Sequence, residues 1–183
     1  MRTMRSRPVV VGVNDTAESE DALRWAVGAA QRHERPLHVV ATYLWSRPTT
    51  TDGLVDLGTP APPRAIEDRF ERALAYARDQ LDVDAVTSEL VSGTPARVLR
   101  RAADTADLLV VGTRGRALRH SVSRAVAAYA TCPVVVVRPG AGDVRGRVVV
   151  GVDGSHEAEQ AVAFAFEEAS RRSATRYQSA KTR

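Results

Sequence analysis

The stretch RPVVVGVNDTAESEDALRWA, residues 7–26, joins a short apolar run to an amphipathic segment through a polar turn. Residues 8–13 are apolar without alternation, which is typical of a parallel strand that is buried on both faces. A helix is predicted over 17–34, because its apolar residues recur at helical spacing and Thr16 is placed to cap its first turn. This stretch therefore predicts one strand followed by one helix.

The same succession of apolar runs and helical patterns continues along the chain. Further strands are predicted near 37–43, 85–91, 108–112 and 133–137. Segments with helical spacing separate these runs. The alternation predicts an α/β fold with a five-stranded parallel sheet and helices on both faces. Periodicity does not give the order of the strands in that sheet.

A second copy of the opening stretch, GRVVVGVDGSHEAEQAVAFA, begins at Gly146, 139 residues after Arg7. The repeat places Asp153 on Asn14. One strand and one helix of this copy are recognisable, and they do not make a hydrophobic core by themselves.

The repeat predicts five segments in the chain. They are a basic tail over 1–7, a complete domain over 8–139, a linker over 140–146, the truncated start of a second domain over 147–170, and a basic tail over 171–183. The last segment lacks apolar periodicity and is expected to be disordered.

Composition limits the classes of function. Hydrophobic residues make up 44% and charged residues 26% of the chain, which is typical of a globular protein. No apolar run reaches the roughly 18–20 residues that a membrane span needs. Cys132 is the one cysteine, so an internal disulfide is excluded, and the histidines lack metal-ligand spacing. We expect a cytoplasmic protein with no membrane partner and no metal site.

The net charge of +4 belongs to the ends of the chain. Eight of the 26 basic residues lie in 1–7 and 171–183, which leaves 18 basic and 22 acidic residues in the body. A nucleic-acid partner is therefore not favoured.

Two loops combine glycine with polar residues at the carboxyl ends of predicted strands. The first is 12–16, and the second is 112–116, which leads through His120 to Ser121 and Ser123 at a helix start. Open parallel sheets bind ligands at this edge. Glycine permits close approach of the backbone, while helix N-termini and arginine attract phosphate.

Four motifs carry a resemblance to a known family. VVVGV with NDT, LLVVGTRGR, SVSRAV and CPVVVVRP occur in this order over 7–139 and resemble the universal stress protein domain. VGVDGS at 150–155 resembles the start of another such domain, as in tandem members. The resemblance implies a Rossmann-like fold of the adenine nucleotide alpha hydrolase type. It also implies a homodimer formed through the strand at 133–137 and, in many members, an ATP site.

The resemblance implies a nucleotide site built from both loops, with Mg²⁺ accompanying ATP. Its residues are Gly12, Val13, Asn14, Thr42, Gly112, Arg114, Gly115, Ser121, Val122 and Ser123. No general base or group of metal-binding carboxylates is evident, so we expect a binding protein rather than an ATP hydrolase or phosphotransferase.

The chain departs from the family's nucleotide motif at two places. That motif is G-x2-G-x9-G-S/T, but only four residues separate Gly115 from His120, which stands in place of the third glycine. The five missing residues remove roughly 16 Å of extended reach. Asn14 replaces the aspartate that follows the first strand. Two functions follow: a stress-response regulator that binds ATP, or a nucleotide-free dimerising interaction module.

Overall fold

The computed structural model describes most of the chain. The described residues are 6–14, 16–44, 61–113, 122–139 and 147–172, together with the backbone of 175–180. The chain forms two compact units, Met1–Ala141 and Gly142–Arg183. The boundary between them falls within the predicted linker 140–146, which itself lies outside the described residues.

The first unit alternates strands and helices. Its elements are β1 (Val9–Val13), α1 (Ala17–His33), β2 (Leu37–Tyr43), α2 (Arg64–Gln80), β3 (Val86–Ser92), α3 (Pro95–Ala103), β4 (Leu108–Gly112), α4 (Val122–Tyr129) and β5 (Val134–Val137). The strands are parallel and lie in the order β3-β2-β1-β4-β5. The predicted five-stranded parallel α/β fold is confirmed, and β1 lies at its centre.

The central strand is buried on both faces, as its uniform valines predict. Val9, Val10 and Val11 are at most 1% exposed. Val10 packs in a cluster with Leu99 of α3 and Val126 of α4. Since side chains alternate along a strand, Val9 and Val11 point to the opposite face, where α1 contacts β1. Helices therefore cover both faces of the sheet.

The second unit contains β6 (Arg147–Val152), α5 (His156–Arg171) and β7 (Thr175–Ala180). The prediction of a disordered tail over 171–183 is wrong for the backbone of β7, which pairs in parallel with β6. Backbone N–H and C=O groups of β6 need partners, and β7 supplies them. Its sequence, TRYQSA, is polar, so hydrophobic periodicity does not reveal the strand.

The pairing register of β7 extends the internal repeat. Val9 pairs with Leu37 in the first unit, and Val148 pairs with Arg176 in the second. Both members of the second pair lie 139 residues after those of the first, and the same shift relates the other four pairs. The repeat therefore comprises a complete βαβ unit rather than one strand and one helix.

Cys132 is half-buried, and burial raises the pKa of its thiol. A neutral thiol is a poor nucleophile, which agrees with the inert side chain that its position before a strand suggests. Among the described residues, no cluster of His, Cys, Asp and Glu is arranged to hold a metal ion. Every helix in the described part of the chain is too short or too polar to cross a bilayer.

Candidate functional site

The carboxyl ends of β1, β2 and β4 border a cavity of about 300 Å³, here called the central cavity. Seven predicted site residues line it: Gly12, Val13, Asn14, Thr42, Gly112, Val122 and Ser123. Arg114, Gly115 and Ser121 lie outside the described residues. The structure thus brings together every predicted site residue that it describes.

Sheet topology explains why residues so distant in sequence meet. Gly12 lies opposite Val40 of β2 on one side and Val111 of β4 on the other. Because the three strands are parallel, their carboxyl ends and the loops that follow them reach the same edge. Ser123 joins them from the first turn of α4, and its side chain is buried.

Asn14 anchors the turn between β1 and α1. Its side-chain Oδ1 accepts hydrogen bonds from the backbone N–H of Thr16 at 3.1 Å and from the Thr16 hydroxyl at 2.9 Å. Its own backbone N–H donates to Oγ of Ser19 at 2.8 Å. The turn therefore occupies the oxygen of the Asn14 amide, which leaves the Nδ2 donors as the group it can offer to a ligand.

Thr16 occupies the N-cap position of α1, but its hydroxyl makes no capping bond. The predicted capping role of this side chain is wrong, because the hydroxyl is directed to Asn14 instead. The threonine thus stabilises the turn that faces the central cavity rather than the first turn of the helix.

The two strand-end glycines have different structural roles. A methyl group on Gly112 would lie 2.5 Å from the backbone oxygen of Glu18, so this position is needed for α1 to approach β4. A methyl group on Gly12 would meet the Cδ1 and Cδ2 atoms of Leu99, at 2.9 and 3.0 Å. Leu99 lines the central cavity, so any side chain at Gly12 would displace part of the cavity wall.

Much of the cavity wall is apolar and was not found from the loop motifs. Tyr43, Leu44, Ile66, Pro95 and Leu99 all line it. The position of Tyr43 and Leu44 at the end of a predicted strand is a signal that could have found them. The other three belong to α2 and α3, and their approach to the cavity depends on how those helices pack.

The central cavity has a neutral lining. None of its described lining residues carries a charge, and its polar groups are the hydroxyls of Thr16, Ser19, Thr42, Tyr43, Thr113 and Ser123 and the amide of Asn14. Apolar walls with a few hydroxyl and amide groups suit a planar base and a sugar. A phosphate group, in contrast, finds no cation among the described lining residues.

Comparison with known proteins shows which family the chain belongs to. The sequence model of the universal stress protein family matches residues 5–138. The chain belongs to this family. A universal stress protein of Mycolicibacterium smegmatis is 34% identical over 177 residues, which cover 90% of this chain and 60% of that protein. A universal stress protein of Mycobacterium tuberculosis is 30% identical over 183 residues, with the same coverage. The chain thus spans about 60% of the length of these relatives.

Solved structures of the family have the same fold. A universal stress protein from Archaeoglobus fulgidus superposes with a TM-score of 0.70 at 17% identity, covering 96% of this chain and 66% of that one. A universal stress protein solved in complex with cAMP superposes with a TM-score of 0.53 at 26% identity, covering 72% of this chain and 95% of that one.

Proposed function

We propose that this chain is a stress-response regulator that binds an adenine nucleotide in the central cavity. The observation that carries the proposal is the convergence of Gly12, Asn14, Thr42, Gly112 and Ser123 on one neutral cavity. Its volume of about 300 Å³ is at the lower end of the range for small-molecule sites. The family member solved with cAMP supports a ligand that contains adenosine.

In this proposal the nucleoside takes the central cavity, and each polar group has a defined task. The Nδ2 group of Asn14 donates to an acceptor on the base, since the turn already uses Oδ1. The hydroxyls of Thr42 and Ser123 are suited to hydrogen-bond the sugar. The missing Cβ atom of Gly12 leaves room beside Leu99 in the cavity wall.

ATP, with Mg²⁺ held by its phosphates, is the full ligand in this proposal. The described lining offers no carboxylate or imidazole to act as a general base. We therefore propose that the site binds its nucleotide without turning it over, and that occupancy is the regulatory signal.

A second candidate function is a nucleotide-free interaction module that forms a homodimer. It is favoured by β5, which ends the sheet of the first unit and exposes 39% of Val136. An edge strand offers backbone hydrogen bonds to a second copy of the chain. One protein can both bind a nucleotide and form a dimer. The two candidate functions therefore differ in whether this chain binds a nucleotide.

Calorimetric titration of the whole chain with AMP and ATP tests the proposal. Binding of either nucleotide to wild-type protein, lost in Thr42→Trp because the indole fills the central cavity, would support it. The melting temperature of the variant must remain near that of wild type. If wild-type protein gives no binding heat at millimolar nucleotide, the proposal is wrong. A dimer by light scattering would then favour the interaction module.

A further inference from the structure

A second cavity, here called the arginine cleft, lies between α1 and α2 and has a volume of about 300 Å³. Glu20, Leu23 and Arg24 contribute from one face of α1. The facing residues of α2 are Arg69, Arg72, Ala73 and Tyr76, whose spacing places them on one side of that helix. Small Ala73 leaves room between the longer side chains, so the cleft is bordered by two facing helical stripes.

The arginine cleft is cationic. Three arginines and one carboxylate line it, and with Asp21, which pairs with Arg24, these charges sum to about +1 at neutral pH. Arg24 forms an ion pair with Asp21. The hydrogen bond to Asp21, followed by the charges of Asp21 and Glu20 and by Tyr76, raises the pKa of Arg24. Asp21 and Arg24 lie one helical turn apart on α1, so the pair restrains the guanidinium beside the cleft.

The arginine cleft and the central cavity adjoin each other. Both are lined by Val13, Asn14, Thr16 and Ser19, the residues of the turn that leads into α1. A smaller cavity of about 140 Å³ connects Asn14 and Thr42 with Arg69. The two larger cavities differ in charge: the described lining of the central cavity is neutral, and that of the arginine cleft is positive.

We propose that the arginine cleft is a phosphate subsite that holds the phosphates of a nucleotide whose nucleoside lies in the central cavity. The inference rests on the proposed function for the nucleoside, but the cleft has its own test. Guanidinium groups pair with phosphate oxygens through two parallel N–H···O bonds, and Arg69 and Arg72 both line the cleft, one helical turn apart.

The test uses the whole chain and three probes: adenosine, inorganic pyrophosphate and ATP. The double variant Arg69→Gln/Arg72→Gln removes two charges from the cleft. Arg64→Gln/Arg78→Gln is the matched control, because it removes two exposed charges from the same helix without touching the lining. We expect the cleft variant to bind ATP at least about tenfold more weakly and to lose pyrophosphate binding. Adenosine binding should not change in either variant.

The outcomes separate this inference from the proposed function. If the cleft variant binds ATP as tightly as the control, the phosphates bind elsewhere and the subsite is wrong, even though adenosine binds. If pyrophosphate binds through Arg69 and Arg72 while adenosine does not bind, the subsite stands and the nucleoside site fails. Wild-type protein that binds neither ATP nor pyrophosphate would overturn the inference.

Discussion

The βαβ unit formed by β1, α1 and β2 and the one formed by β6, α5 and β7 share one pairing register, yet they have different surroundings. β1 lies between β2 and β4, and its first three valines are almost fully buried. β6 pairs with β7 in a two-stranded sheet, and Val149 is 69% exposed. The same local sequence thus produces the same local unit. The central cavity, however, also needs β4, α3 and α4, which only the first unit provides among the described residues.

Asn14 and Asp153, at equivalent positions of the two turns, differ in charge but make the same two hydrogen bonds. Oδ1 of Asp153 accepts hydrogen bonds from the backbone N–H and the hydroxyl of Ser155, at 3.0 and 2.6 Å. Asn14 makes the equivalent bonds to Thr16. Ser155 differs in that its Oγ also accepts from the N–H of Ala158 at 3.2 Å and caps α5. The amide of Asn14 therefore makes the same two hydrogen bonds as the carboxylate of Asp153, so the loss of the charge does not remove them.

The largest effect on stability is expected at Gly112 of β4, a strand with no counterpart among the described residues of the second unit. Gly112→Ala places a methyl group 2.5 Å from a backbone oxygen of α1, and backbone cannot move aside cheaply. We expect a loss of about 3 kcal/mol of unfolding free energy, measured by urea denaturation. A loss below about 1 kcal/mol would show that α1 does not depend on this close approach.

The next largest effect on stability is expected at one of two equivalent glycines of the repeat. Gly12 and Gly151 occupy the same position of the two units, but a methyl group on Gly151 meets no described atom within 4 Å. Gly12→Ala should cost about 1.5 kcal/mol and weaken nucleotide binding, because Leu99 must move. Gly151→Ala should change stability by less than about 0.5 kcal/mol. Equal losses of unfolding free energy for Gly12→Ala and Gly151→Ala would contradict the difference between the surroundings of the two glycines.

The two helix starts should respond differently to loss of a hydroxyl. Ser155→Ala removes a capping bond and should destabilise α5 by about 1 kcal/mol. Thr16→Ala removes no cap and should cost α1 about half as much. Amide hydrogen exchange in the first turns of α1 and α5 measures both effects. A larger increase in exchange in α1 on Thr16→Ala than in α5 on Ser155→Ala would contradict the assignment of the cap to Ser155.

The smallest expected effect is a pH dependence of the hydrogen bonds in the turn between β6 and α5. Hydrogen bonds from the side chain and then the backbone of Ser155 lower the pKa of Asp153 from 3.8. Because the folded pKa is the lower one, these bonds stabilise the turn above pH 3.8 and are lost as the pH falls through the folded pKa. The backbone amide NMR signal of Ser155 should therefore shift as the pH falls below 3.8. The amide signal of Thr16 should not shift in this way, because the side chain of Asn14 does not titrate. Asp153→Asn should abolish the movement.

Sequence reasoning predicted the five strands of the first unit because their valine runs are continuous and buried. It also found the strand-end residues Gly12, Asn14 and Gly112, whose position follows from parallel topology. Ile66 and Leu99 were not predicted as cavity walls, because periodicity does not show how helices pack over the sheet edge. β7 was missed for another reason, since its strand is defined by backbone pairing with β6 rather than by apolar side chains.

The most direct test of the central claim is to locate the nucleotide on the protein by backbone NMR. Titration with AMP should shift the amide signals of Gly12, Asn14, Thr42 and Ser123, which line the central cavity. The equivalent turn of the second unit, Asp153 to Ser155, should stay unchanged. Shifts in both turns, or in the second turn alone, would contradict the claim that the cavity of the first unit is the nucleotide site.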